Sequence, residues 1–439
     1  MREIPDPIEL LTRLIRFDTT NPPGREGPCV RYLAEFLDRA GLPTQLLPNE
    51  GDRPNLIARL PGCGEAPPLL MYGHVDVVAA DSRHWTHPPF EGRVVDGCVW
   101  GRGALDMKGA VAMMTSAVLR AKAEGIRPAG DILLAILADE EAGGRHGARL
   151  LVERHSDLFD GVRYAIGEFG GVPIYIAGRR FYAIQVTEKQ PCWIEATLHG
   201  PAGHGARPMR GGTMARLARV LSALDQRRMP IHITPVTRRM LKTVAAHVPW
   251  PKGLVLRGLL NARLTDRILS LLGRTGRSLE PLFRNTANAT IVRGGEKPNV
   301  IPGEITLGID GRILPDLGVE EFLDELRALI GEPVELSIAL HDPAPSKPDY
   351  GLFDTLGGVL SRLDPEAVAI PLLLPGSTDA RFFSKLGIQT YGFTPMNLPE
   401  AFDFFSTIHG SDERIPTEAL AFGTDAIFRV IERYGRPKG

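Results

Sequence analysis

The sequence predicts an α/β protein: an open, largely parallel sheet with an α+β segment inserted into it. Three observations lead there. Short apolar runs alternate with stretches of helical periodicity in both the first and the last third of the chain, the pattern of strands joined by crossover helices. Three of those runs (69–71, 131–138 and 162–166) each end in an acid or a histidine flanked by glycine. From Arg179 the pattern changes to strand–helix–strand–strand–helix–strand with alternating character, which implies an antiparallel sheet.

The elements follow in order. Ile8, Leu11, Leu14 and Ile15 form the apolar stripe of a helix over 6–17, which Asn21-Pro22-Pro23-Gly24 stops. A second helix covers 29–40 and ends at Gly41. Residues 55–60 and 69–71 are strands, and the second runs into Gly73-His74-Val75-Asp76. The stretch 81–90 is irregular, and its His84 and His87 read as loop residues. A strand over 94–100 precedes Gly101-Arg-Gly-Ala-Leu-Asp-Met-Lys-Gly109, which opens a helix to 124. Its glycine pair lacks the remainder of a phosphate loop. The strand 131–138 ends in Asp139-Glu-Glu-Ala-Gly-Gly144, and 162–166 ends in Gly167-Glu168.

The inserted segment is expected over 179–343, between catalytic segments 1–178 and 344–439. It carries helices over 213–224 and 319–330 and strands over 289–292, 305–313 and 334–340. Residues 226–285 hold twelve Lys or Arg and only two acids, Asp266 and Glu280. Leu254, Leu259, Leu264, Ile268 and Leu271 recur at helical spacing there, so the stretch reads as a helical insertion with a basic outer face rather than a nucleic-acid arm. The last segment holds a helix over 352–363, strands over 367–374 and 389–394, His409, and a final helix over 418–434.

Composition narrows the class. A chain of 439 residues with 43% hydrophobic and 23% charged residues has the material of a globular protein of two or three domains. A net charge of −1 gives no bulk attraction to nucleic acid or membrane. Cys29, Cys63, Cys98 and Cys192 are far apart, which argues against a thiolate zinc site and suggests a reduced compartment. The first residues lack an apolar signal core and no stretch is long enough to span a bilayer, so the expected location is the cytoplasm.

In an open parallel sheet, ligands bind beyond the carboxyl ends of the strands. His74, Asp76, Glu140, Glu141 and Glu168 converge there, and carboxylates so gathered need a cation. With Asp106 and His409, the candidate ligands are His74, Asp106, Glu141, Glu168 and His409. Nitrogen and carboxylate donors without thiolate suit zinc, with cobalt or manganese as alternatives. Five such ligands exceed the needs of one tetrahedral catalytic zinc and suit two metals sharing a carboxylate. Two metals can hold a water between them and lower its pKa, and Glu140 is placed to take its proton.

The motifs Gly73-His-Val-Asp76, 101–109, 139–144, Glu168 before Gly170-Gly171, Lys297-Pro-Asn-Val-Ile-Pro302, Ser377-Thr-Asp-Ala-Arg381 and His409-Gly410 together resemble the M20 metallopeptidases over nearly the whole chain. The resemblance implies a zinc-exopeptidase-like catalytic domain with an inserted lid and dimerisation domain. It implies that His74 and Glu168 hold one metal, Glu141 and His409 the other, and that Asp106 bridges them. Asp76 would orient His74, and Glu140 would act as general base and then acid. His204 would stabilise the oxyanion, commonly in the other subunit. Asn299, Arg312 and Ser377 sit where the family grips the substrate carboxylate. The final histidine motif departs from the family pattern, reading Asp412-Glu413 where an Asn-Glu pair is usual.

The expected function is therefore a two-zinc amidohydrolase acting on an N-acyl or peptide bond beside a residue with a free carboxylate. Its expected partner is a small N-acyl amino acid or short peptide, and its expected assembly a homodimer through the lid. Neither nucleic acid nor a membrane is expected as a partner. The alternatives are a dipeptidase or aminopeptidase of the same family, or a non-catalytic binding protein on the same scaffold. Glu168, where dipeptidase and aminopeptidase members tend to carry Asp, favours the deacylase or carboxypeptidase side.

Overall fold

The structure, a computed structural model, describes residues 6–344 and 347–436. The chain packs as two compact units, 1–186 with 349–372 and 378–439, and 187–348 with 373–377. Among the described residues no helix is long and apolar enough to cross a membrane.

The first unit begins with helix Pro7–Ile15. The Asp6 carboxylate accepts the Ile8 N–H at 2.9 Å and Pro7 presets the first turn. Leu10, Leu11, Leu14 and Ile15 turn inward, as their spacing requires. The central sheet runs in the order Thr44–Leu47, Asn55–Leu60, Ile132–Leu137, Leu69–His74, Tyr164–Gly167, Gln389–Gly392, Arg179–Glu188, Val368–Leu374, with Val172–Ile176 beside Arg179–Glu188. Pairing is parallel at the centre and antiparallel towards the first edge and at Arg179–Glu188. Every residue of Leu69–His74 and Ile132–Leu137 is buried, which is why neither strand alternates with a polar face.

Register does the positioning. His74 pairs with Leu137, so two neighbouring strands end level and Asp139–Glu141 emerges beside His74. Leu69 pairs with Tyr164 and Met71 with Ile166, which brings Glu168 to the same end. Helix Lys108–Ala123 is buried on nearly all sides, and its alanines let it lie close to the sheet. A side chain on Gly73 would meet Met107 Cε at 2.9 Å and Val111 Cγ2 at 3.0 Å, so glycine lets Met107 and Val111 pack close against the strand there. The single strand expected over 94–100 is a hairpin of Arg93–Val95 and Cys98–Trp100. Asp96 and Gly97 both take positive φ (47° and 71°) and form the two-residue turn that splits it.

The second unit carries an antiparallel sheet ordered Thr286–Arg293, Glu304–Ile313, Gln190–His199, Glu335–His341. Cys192, Ile194, Ala196 and Leu198 alternate inward with Leu307 and Ile309, against Val220 of helix Thr213–Gln226 and Phe322 and Leu326 of helix Val319–Ile330. Residues 226–285 fold into helices Pro235–His247, Trp250–Gly258, Ala262–Leu271 and Gly273–Leu279. The helical spacing of the leucines is correct, but the inward face differs. Gly253, Leu259, Thr265 and Leu269 are buried, whereas Leu254, Leu264 and Leu271 face solvent.

Lys189 lies buried in this unit. Its Nζ donates to the Arg284 carbonyl at 2.7 Å. Burial, and then the cations Arg312 and Arg284, pull its pKa down to about 7. Above pH 7 the unfolded chain binds a proton at Lys189 that the folded chain has released, so this residue makes stability rise with pH until its unfolded pKa is reached. Lys189→Met removes that contribution. In urea titrations between pH 7 and 9 the wild type should gain up to about 2–3 kcal/mol relative to the variant. Parallel pH dependences of the two proteins would refute this.

Candidate metal centre

Five side chains from separate stretches meet at the carboxyl ends of the central strands. His74 Nε2 lies 3.1 Å from Asp106 Oδ1 and 3.4 Å from Glu168 Oε2. His409 Nε2 lies 3.2 Å from Asp106 Oδ2 and 3.2 Å from Glu141 Oε1. The result is two triads, His74–Asp106–Glu168 and Asp106–Glu141–His409, each with its donor atoms within 4.8 Å of one another. Asp106 belongs to both and turns one oxygen to each histidine. The first triad is buried, while His409 is half-exposed at the rim.

The backbone explains the placement. His74 is the last residue of its strand, and Glu168 follows Gly167, the last of its own. Glu140 and Glu141 begin a single 3₁₀ turn after Asp139, which takes positive φ (68°) to make the turn. Asp106 sits in the irregular turn before helix Lys108–Ala123. His409, also at positive φ (60°), follows the short helix Phe404–Thr407.

Asp76 ties these pieces together. Its carboxylate accepts the N–H groups of Glu140 and Glu141, both at 3.1 Å, and the Asn21 amide at 2.9 Å. His74 Nδ1 is 3.0 Å from the Asp76 carbonyl and 3.4 Å from its carboxylate, so both parts of Asp76 set the ring. Burial acts to raise the Asp76 pKa, but the bonds from His74, Asn21 and Glu141 outweigh it and hold the carboxyl low.

The electrostatics of the cluster follow from its crowded carboxylates. Burial, then the Glu168 carboxylate, raises Glu140 well above the usual carboxyl range. Glu168 is raised by burial and by Asp106 and Glu141, against the pull of His74. Burial disfavours a charged His74, yet Asp106, Asp76 and Glu168 raise its pKa well above normal. Hydrogen bonds to Asp106 and Glu141 push His409 up to about 10. Buried Asp379 has no hydrogen-bond partner on either oxygen among the described residues and rises to about 7, through burial and then, against the pull of Arg381, the Glu168 charge. Excess carboxylate around two imidazoles, with oxygen and nitrogen donors shared through one aspartate, is a donor set that fits divalent cations.

Sequence reading missed the layer behind this cluster. Glu413 is buried and accepts the N–H groups of Gly103, Leu105 and Asp106 at 2.7–3.1 Å while pairing with Arg102 at 2.7 Å. It therefore shapes the turn that carries Asp106, and the only hint in sequence is its adjacency to the His409 motif. Asp139 binds Asn21 and Arg53, and Arg53 also pairs with Glu26. His84 stays in an exposed loop, away from either triad.

The remaining expected residues lie in the second unit. Arg312 Nη1 donates to Ser377 Oγ at 2.9 Å, and its other nitrogens pair with Asp310. Asn299 is exposed and its carbonyl accepts the Gly205 N–H at 2.8 Å, beside the two-residue pairing of Gly203–His204 with Val300–Ile301. His204 is exposed, and its Nδ1 accepts the Ala206 N–H at 3.1 Å. That bond assigns the ring proton to Nε2, leaving an outward donor.

Comparisons with known proteins agree with this geometry. Residues 70–433 match the family model of Peptidase family M20/M25/M40. Aminoacylase-1 of Sus scrofa is 26% identical over 97% of this chain and 94% of its own length. The N-fatty-acyl-amino acid synthase/hydrolase PM20D1 of Xenopus tropicalis is 30% identical over 83% of this chain and 72% of its own. Among solved structures, the M20 family metallo-carboxypeptidase Sso-CP2 from Sulfolobus solfataricus superposes with a TM-score of 0.71 at 16% identity, covering 98% of this chain and 99% of that one. A dinuclear metal-binding M20 peptidase from Bacillus subtilis superposes at 0.60 with 14% identity, covering 97% and 96%. The chain belongs to peptidase family M20/M25/M40 and is a metal-dependent hydrolase of amide bonds.

Proposed function

We propose that this protein is a two-zinc amidohydrolase that cleaves an N-acyl or peptide bond next to a residue with a free carboxylate. The observation that carries the reading is Asp106, with one oxygen directed to each of two histidine-containing triads. His74 and Glu168 would hold one cation, Glu141 and His409 the other, and Asp106 both. Neither triad contains a cysteine, which favours zinc, cobalt or manganese. When bound, the cations supply Lewis-acid polarisation of the scissile carbonyl and acidify a water. Glu140, beside the cluster and held by its N–H to Asp76, takes the proton of the attacking water and returns it to the leaving amine. The outward Nε2–H of His204 donates to the oxyanion, and Arg312 with Ser377 receives the substrate carboxylate.

The relatives support the substrate class: one is an aminoacylase, another a hydrolase of N-fatty-acyl amino acids. Leu105, Met107, Phe169, Phe404 and Ile408 pack around Asp106 and Glu168 and leave a cavity of only about 10 Å³, so this apolar wall shields the triad from water rather than receiving substrate. A homodimer through the second unit belongs to the same reading. Thr286–Arg293 is an edge strand that leaves Ile291 and Val292 exposed, a surface for pairing with a second copy. Cys29 and Cys192 are buried free thiols, which suits the reduced cytoplasm.

Elemental analysis after zinc saturation should find about two ions per chain. Asp106→Ala should lose both, since each triad needs it; one ion in the wild type would end the two-metal reading. A panel of N-acyl amino acids and dipeptides identifies the best substrate. On it, Glu140→Ala should keep its metals and lose ~10²–10⁴ in kcat. Near wild-type turnover would place the base elsewhere. His204→Ala should also keep its metals and lose ~10²–10³ in kcat, the usual effect of one oxyanion donor. If His204 serves the other subunit, mixing Glu140→Ala and His204→Ala chains should restore activity. No recovery despite demonstrated subunit exchange would confine His204 to its own chain.

A further inference from the structure

The whole-chain charge of −1 conceals a strongly basic face with apolar side chains on it. Residues 226–285 carry twelve cations against Asp266 and Glu280. Both acids are already engaged within the segment, by Arg284 and Arg228. Lys252, Arg257, Arg263, Arg267, Arg274 and Arg277 are exposed, and among the described residues none of the six has a carboxylate at ion-pair distance.

Two consecutive helices present four of these charges, Lys252, Arg257, Arg263 and Arg267, beside solvent-facing apolar stripes. In Trp250–Gly258, Trp250 and Leu254 lie one turn apart and are 78% and 57% exposed. In Ala262–Leu271, Thr265 and Leu269 are buried, whereas Leu264 and Leu271 lie two turns apart on an outer stripe with half-buried Ile268 between them. Leu271 is 86% exposed. Arg263 and Arg267 form a parallel stripe on the side away from the buried face. A side chain on Gly258 would meet Ile268 Cδ1 at 2.7 Å, so the two helices touch there and their stripes adjoin. Leucine and tryptophan held this far into water, flanked on short helices by cations with no carboxylate at ion-pair distance among the described residues, match the chemistry of a membrane interface: apolar tips for the acyl boundary, indole for the headgroup level, arginine for anionic phosphate.

We infer that the helix pair Trp250–Gly258 and Ala262–Leu271 seats this protein on anionic lipid surfaces, lying in the interface without crossing it. Charge complementarity selects an anionic bilayer as the occupant. The edge strand Thr286–Arg293 is a separate surface for a second copy of the chain.

The test is sedimentation of the full chain with vesicles of phosphatidylcholine alone and of equimolar phosphatidylcholine and phosphatidylglycerol. Binding should be confined to the anionic vesicles and should weaken as salt rises. The pair R263Q/R267Q should lower the partition coefficient about 25-fold, or about fivefold per cation removed near the surface. The pair W250S/L271S should lower it while leaving hydrolysis of a soluble substrate unchanged, which shows that the variant is folded. Independently of any fold-sensitive variant, brominated anionic lipids should quench wild-type tryptophan emission, and that quenching should diminish in W250F. Equal binding to both vesicle types, no binding to the anionic ones at low salt, or partition unchanged in both double variants overturns the inference. So does conversion of a dimer to a monomer by L271S, which would make this face a contact between copies.

Discussion

The carboxylate of Asp76 is the contact on which the candidate centre depends. It joins the end of one buried strand to the turn after the next by accepting two consecutive backbone N–H groups, and its own residue also fixes the imidazole of His74. A charged acceptor in a buried setting makes stronger hydrogen bonds than a neutral one, and it loses more when they are broken. Three groups, His74, Glu140 and Glu141, are thereby held to one residue. Displacing that carboxylate would release the turn, while the ring would keep its bond to the Asp76 carbonyl.

Behind it lies a layer of buried ion pairs that holds loops rather than packs a core. Glu413 gathers three N–H groups from the turn that presents Asp106, and Arg102 balances its charge. Arg53 does the same for Asp139 and Glu26. Buried pairs of this kind are weak sources of net stability because desolvation offsets their attraction. Their effect is geometric: irregular backbone is pinned where the clustered side chains meet.

The second unit solves a different problem. Its antiparallel sheet buries one face against two helices, and alternating residues build that face. What it adds is surface: a basic helical insertion, an edge strand, and the His204 loop. Net charge averages these away, and only a local count shows how unevenly the cations are spread.

Much of this was legible in the sequence. The apolar runs of 69–71 and 131–138 announced buried parallel strands, because a strand covered on both faces has no polar side to alternate with. The acids and histidine at their ends announced a centre, since such sheets expose functional groups at their carboxyl ends. Side-chain identity and period also gave the helix Val319–Ile330 and the helical character of 226–285. The tertiary structure alone decided the rest. Strand register made His74 level with Leu137, and register depends on pairing across the sheet. The partners of Asp76, Glu413 and Arg53 are distant in sequence and meet only after folding. The outward face of Leu254, Leu264 and Leu271 was hidden for the same reason. Periodicity tells which residues share a side of a helix, but which side meets a core is settled by the neighbours that pack against it.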